Sequence, residues 1–257
     1  MLGLAGSGGG REILFYDQRG GGRSKVVAAA SEPITWQTQV GDLGAVMAEF
    51  DLGQATLVGY SWGGLLALLY ASEAVHDSDL AKPGALVVID PAPISRQYRG
   101  QFEREFARRQ ASPEVEGLRH ELAASNLRER DPEAYRQRNF ELSVAGYFAD
   151  PTSAQDLTPF RVSARVQQSV WDSLGDFDLV ADGRLASIRV PTLIVHGRQD
   201  PIPLASSEAA ASALSGPAEL VVLDNCGHVP YVEQPEALFT AIDSFLCREP
   251  SVESREP

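Results

Sequence analysis

The chain has 257 residues and carries 22 Lys and Arg against 35 Asp and Glu, a formal charge of −13 at pH 7. That balance excludes a general nucleic-acid binder or a binder of anionic membranes, because both need basic surface. Two cysteines, Cys226 and Cys247, exclude a disulfide framework, and the longest apolar stretch, Leu65 to Ala71, excludes a membrane-spanning helix.

A hydrophobic share of 44% is ordinary for a globular protein. Met1 to Gly10 lacks the basic n-region and apolar run of a secretory leader, so a soluble, cytoplasmic protein is expected.

In chain order, five short apolar runs read as buried strands: Ile13 to Tyr16, Ala55 to Gly59, Ala85 to Ile89, Thr192 to Val195 and Leu220 to Leu223. They are continuous rather than alternating, the pattern of parallel strands covered on both faces. Helical patterns lie between them. Val40, Leu43, Met47 and Phe50 share one helical face, Leu65 to Tyr70 follows the second run, and Ala237 to Leu246 is the last helix. Strand–helix alternation predicts a doubly wound α/β sheet.

The alternation stops between Pro91 and Ile188, a stretch with 13 Arg and 15 acidic residues and no strand-like run. Ser112-Pro113 and Asp131-Pro132 punctuate it as cap-plus-first-residue pairs of helices. The expected organisation is therefore a core at 1–90, a helical insertion at 91–187, the rest of the core at 188–247 and a disordered polar tail at 248–257.

Gly59-Tyr-Ser-Trp-Gly63 matches G-x-S-x-G. A strand runs into it and an apolar helix runs out, which is the strand–turn–helix of a nucleophile elbow. Glycines two before and two after Ser61 let strand and helix approach. The Trp62 backbone N–H falls at a helix N-terminus, where donors face developing negative charge.

A serine hydroxyl needs a base, and the base needs an orienting carboxylate. Asp200 follows the fourth run and His228 the fifth, both at the strand edge where open α/β sheets bind ligands. His196 reads as structural, His76 and His120 as surface residues, and Asp224 as the fallback orienter. Cys226 reads as a small buried residue. No Cys/His spacing resembles a zinc site, and no cofactor or metal is expected. The glycine loop Tyr16 to Ser24 lacks the G-K-[ST] or G-x-G-x-x-G of a phosphate cradle.

Four stretches together carry a family resemblance: Tyr16-Asp-Gln-Arg-Gly-x-Gly-x-Ser24, Gly59-x-Ser-Trp-Gly-Gly64, His196-Gly-Arg-Gln-Asp-Pro-Ile202 and Gly227-His-Val-Pro-x-x-Glu-x-Pro-Glu236. The chain resembles an α/β-hydrolase, and within that fold the proline iminopeptidase branch. The resemblance implies Ser61 as nucleophile, His228 as general base then acid, Asp200 as orienter and the helical insertion as a cap over the site. It also implies a small-molecule or short-peptide substrate.

Two departures qualify the match. In that branch an acidic cap residue holds the substrate's free amine. Here Val144 stands at that point, Glu141 lies one turn away, and Tyr147-Phe148 matches. Glu141 and Tyr147 are thus the candidate substrate-binding residues. The family's H-G-G-x-G-type loop, which supplies the second oxyanion donor, has no counterpart, and Met1 to Ser7 looks like the end of the helix that should follow it. A strand belonging between the Ile13 and Ala55 strands is missing with it, so the expectation is an N-terminally truncated chain or a misassigned start.

Release of N-terminal proline leads, ahead of carboxylester hydrolysis. A catalytically impaired hydrolase-like protein and a C–C bond hydrolase or haloperoxidase-like enzyme are the rivals.

Overall fold

The computed structural model describes residues 11–24, 33–159 and 163–248. The expected helix end at Met1 to Ser7, the glycines 8–10 and the tail beyond residue 248 lie outside the described residues.

Helix α1, Trp36–Glu49, starts at a reciprocal cap in which Thr35 and Thr38 each bond the other's backbone N–H. It buries Val40, Leu43 and Met47 on one face, while Phe50 sits past its end and is exposed. Strand β1, Thr56–Tyr60, leads into α2, Trp62–His76, whose residues Gly64 to Ser72 are all buried. A helix apolar on every side belongs inside, and α2 packs on the sheet.

Strand β2 is Ala85–Ile89. Among the described residues only helices follow until the next strand: α3 Arg96–Gln110, α4 Pro113–Ala124, α5 Leu127–Arg130, α6 Pro132–Val144, two 3₁₀ turns at Ala145–Tyr147 and Pro151–Asp156, α7 Ala164–Leu174 and α8 Arg184–Ser187. Ser112 and Asp131 cap α4 and α6, each with proline at the first turn, as the sequence punctuation predicts. Strand β3, Thr192–Gly197, α9, Leu204–Ala213, β4, Ala218–Leu223, α10, Pro230–Glu233, and α11, Pro235–Leu246, complete the described fold.

The four strands form one parallel sheet in the order β1-β2-β3-β4. Leu86, Val88 and Ile194 face a core shared with α1 and α2, while Val87, Ile89, Leu193 and Val195 face a second core shared with α11. This is why β2 and β3 read as unbroken apolar runs. No helix among the described residues is long and apolar enough to cross a membrane.

One expected strand is corrected. Ile13 to Tyr16 carries no regular secondary structure and pairs with no strand among the described residues. β1 is an edge of the described sheet, with Val58 at 37% exposure. A run cannot join a ladder without a neighbour to receive its N–H and C=O groups. Ile13 and Tyr16 pack sideways against the two cores, Leu14 and Phe15 face outward, and Arg11 pairs with Asp243 of α11 at 2.7 Å.

Candidate active site

Ser61 sits at the junction of β1 and α2 with φ 53° and ψ −117°. A non-glycine residue at positive φ is costly and persists only when its surroundings fix it. Here Ser61 donates its N–H to the Ile89 carbonyl at 2.9 Å and accepts at its own carbonyl from Ala92 N–H at 2.9 Å. The turn is tight enough that a Cβ on Gly59 would lie 2.2 Å from the Gly63 carbonyl oxygen. A Cβ on Gly63 would meet nothing within 4 Å, so the glycine after the serine lacks the steric reason the motif suggests. The Trp62 N–H opens the first turn of α2 with no acceptor among the described residues.

Three side chains from separate strand ends form one hydrogen-bonded line. Ser61 Oγ lies 2.9 Å from His228 Nε2, and His228 Nδ1 lies 2.7 Å from Asp200 Oδ2. Asp200 Oδ1 accepts from the Ile202 N–H at 2.7 Å. A carboxylate at Nδ1 selects the tautomer with its proton there, so Nε2 is left to accept from the serine.

The imidazole is held from all sides. Its own backbone N–H donates to the Tyr147 carbonyl at 2.7 Å, and Tyr60 O–H donates to its carbonyl at 2.8 Å. The Tyr147 ring stacks on it at 5.0 Å, and Gly227 beside it leaves no room for a Cβ, which would sit 2.3 Å from the Tyr147 oxygen. Glu233 accepts from Ala149, Gly227 and Val229 N–H groups, tying this loop to the segment after α6. Burial pushes the His228 imidazole down to about 4, against the pull of neighbouring carboxyl groups. The imidazole is therefore neutral at pH 7.

A third carboxyl group lies beneath this line, and sequence reasoning missed it. Asp90 follows β2 with φ 40° and is fully buried. One donor atom each of Asp90, Asp200 and His228 lie within 4.8 Å of one another. Asp90 Oδ1 accepts from Gly197 N–H at 2.8 Å, and its Oδ2 has no partner if the group is ionised. Burial and the Asp200 charge push Asp90 well above the usual carboxylate range. Two carboxylates this close in an apolar site cannot both be charged. Asp90, pushed up by burial and by the Asp200 charge, is the member that takes the proton. Burial also raises Asp200, to about 8, while the Asp90 side chain and the Ile202 N–H pull it back. The available signal was an Asp directly after the apolar run Ala85 to Ile89.

His196 is a neutral spacer, with Nε2 donating to the Ile202 carbonyl at 3.1 Å and Nδ1 accepting from Ser207 at 2.9 Å. Asp224 is exposed and paired with Arg198, away from His228, whose Nδ1 faces Asp200 instead. Cys226 is buried, and burial pushes its thiol up. His76 and His120 are exposed.

Ser61, Trp62 and His228 open into a cavity of about 670 Å³. Phe102, Phe140, Val144, Tyr147, Val170 and Trp171 form much of its apolar wall. Tyr147 lines the cavity. Glu141 does not: its carboxylate binds Arg138 at 2.7 Å and Gln137 at 2.9 Å on its own helix. The i,i+3 and i,i+4 spacing that makes these partners neighbours takes Glu141 away from the cavity. No Asp or Glu lines the cavity among the described residues. The glycine loop is also part of the wall, through Gln18 to Gly21, with Arg19 clamped on Asp42 at 2.8 and 2.6 Å.

The profile of the alpha/beta hydrolase family matches residues 2–241. Among curated proteins, the chain is 28% identical over 264 residues to a proline iminopeptidase of Neisseria meningitidis serogroup B, covering 91% of this chain and 80% of that one. It is 23% identical over 219 residues to a 2-hydroxy-6-oxo-2,4-heptadienoate hydrolase of Pseudomonas putida, covering 83% and 71%. Among solved structures it is similar in fold to a proline iminopeptidase of Mycobacterium smegmatis, with TM-score 0.59, 18% identity and coverage of 90% and 78%.

Proposed function

The chain belongs to the alpha/beta hydrolase family, and on that premise we propose that it is a serine hydrolase needing no cofactor, cleaving a small ester with an uncharged acyl group. Ser61 Oγ attacks the carbonyl carbon while His228 Nε2 takes its proton. The Trp62 N–H donates to the oxyanion of the tetrahedral intermediate. His228 then gives the proton to the departing oxygen, and the acyl group stays on Ser61. Water repeats the sequence, losing its proton to His228 and releasing the acid. Asp200, at His228 Nδ1, holds the imidazole in register. The helices from α3 to α8 serve as the cap over the site, and the two free thiols accord with a reducing, cytoplasmic setting.

The single observation carrying the substrate class is the cavity wall. The Ser61–His228 pair opens into a mostly apolar space whose described lining holds no carboxylate. A free ammonium buried there would lose its hydration without a counter-charge. The second reading, release of N-terminal proline, draws its support from the 28% identical Neisseria relative. Paired assays of short aryl esters and a proline arylamide discriminate. Ester turnover without arylamide cleavage is expected, and the reverse would overturn the ester reading. Absence of Ser61-dependent fluorophosphonate labelling would reject both in favour of an impaired hydrolase.

A further inference from the structure

Gln39 of α1 is 3% exposed and lines the same cavity as Ser61. Its Oε1 accepts from the Trp62 indole Nε1 at 2.6 Å. An indole N–H only donates, so the atom facing it is the amide oxygen, and the amide orientation follows from chemistry. The Nε2 group then points away from the indole with two N–H donors. Neither has an acceptor among the described residues, and Nε2 keeps some contact with solvent, unlike the orphaned Asp90 oxygen. For a residue this buried, that contact is with the cavity.

We propose that Gln39 is a substrate-binding residue whose Nε2 donates to a neutral oxygen acceptor, a carbonyl oxygen, carried by the substrate in addition to the scissile carbonyl. The inference rests on the serine-hydrolase reading of the site. Trp62 links the two positions: its backbone N–H faces the scissile oxygen, and its indole, a side chain's length away, orients the amide. The acceptor is neutral because the one cation on the described wall, Arg19, is committed to Asp42. The rest of that wall is chiefly aromatic and aliphatic. A buried donor left without an acceptor is costly, so a substrate supplying one is selected over a hydrocarbon of the same shape.

The test uses aryl esters of short keto acids, with the ketone at each successive position, each paired with the ester bearing a methyl branch in place of the ketone oxygen. A second set carries the ketone on the alcohol side. Affinities are measured by calorimetry on Ser61→Ala protein, with and without Gln39→Leu. At least one keto ester should bind roughly 10- to 100-fold tighter than its partner, and Gln39→Leu should abolish the difference. Gln39→Glu, assayed above neutral pH, keeps the acceptor for the Trp62 indole but removes both donors, and should abolish it too. No preference in any pair, or a preference surviving in either variant, overturns the proposal. Turnover of the unbranched esters by protein with Ser61 intact reports separately on the serine-hydrolase reading.

Discussion

The two sides of the cavity are held by different forces. On the strand-end side, Ser61, Asp200, His228 and Glu233 each make two or more hydrogen bonds, largely to backbone. On the helical side, ring packing dominates: Phe102, Phe106 and Tyr147 sit with centroids 4.5 to 6.2 Å apart, and α3 buries none of its 15 residues. The difference separates chemistry from selectivity. Backbone-fixed groups hold the geometry a proton transfer needs, while a wall of adaptable rings can be recontoured at modest cost.

Breaking the strand-end side should have the largest effects. Ser61→Ala should lower kcat on the order of 10⁶-fold, and adding His228→Ala should lower it little more, because the pair acts as a unit. Residual esterase assays check this, and additive losses would show that the two groups act independently. Gly59→Ala should destabilise the fold by about 1–3 kcal/mol through overpacking against the Gly63 carbonyl, while Gly63→Ala should melt close to the parent. Equal melting temperatures for the two variants would contradict the geometry of the turn.

The pH profile sharpens the same point. The working form of His228 is neutral, and burial has pushed its imidazole down to about 4. kcat/KM should therefore stay level as pH falls through 6.5 and decline only on approach to 4. A free histidine would already cost roughly 30-fold at pH 5. An acid limb centred near 6.5 would refute the buried, neutral base.

The helical side should respond more weakly. Phe106→Ala removes a ring 4.5 Å from Tyr147 and should raise KM several-fold with kcat nearly kept, the scale of an aromatic pair worth ~1 kcal/mol. A fall in kcat at constant KM would erase the division between the two sides. Smallest of all, Glu141→Gln should leave ester turnover within about twofold, since it disturbs only a pairing within one helix. Loss of activity there would restore Glu141 as a substrate ligand.

The sequence made legible whatever is written locally. Gly59 to Gly64 specifies a strand–turn–helix, and Asp200 and His228 each follow an apolar run that had to be a strand. The helix caps at Ser112 and Asp131 were equally readable. What depends on a distant neighbour was not. Ile13 to Tyr16 has the composition of a strand, but pairing needs a partner ladder that composition does not report. Glu141 lay at a plausible spacing from Tyr147, yet helical rotation and its own i,i+3 arginine decide where it faces. Asp90 and Gln39 look like a strand end and an ordinary polar helix position. Their roles arise only when Asp200 and Trp62 arrive from elsewhere in the fold.

The strand order has a consequence for amide hydrogen exchange. β2 and β3 are flanked by strands on both sides, whereas β1 and β4 have one strand neighbour each among the described residues. Ser61 and His228 follow the outer strands, and Asp90 and Asp200 follow the inner ones. Protection should therefore peak in β2 and β3 and fall outward. Partial opening of the sheet would then part Ser61 from His228 while the carboxyl pair beneath them stayed closed.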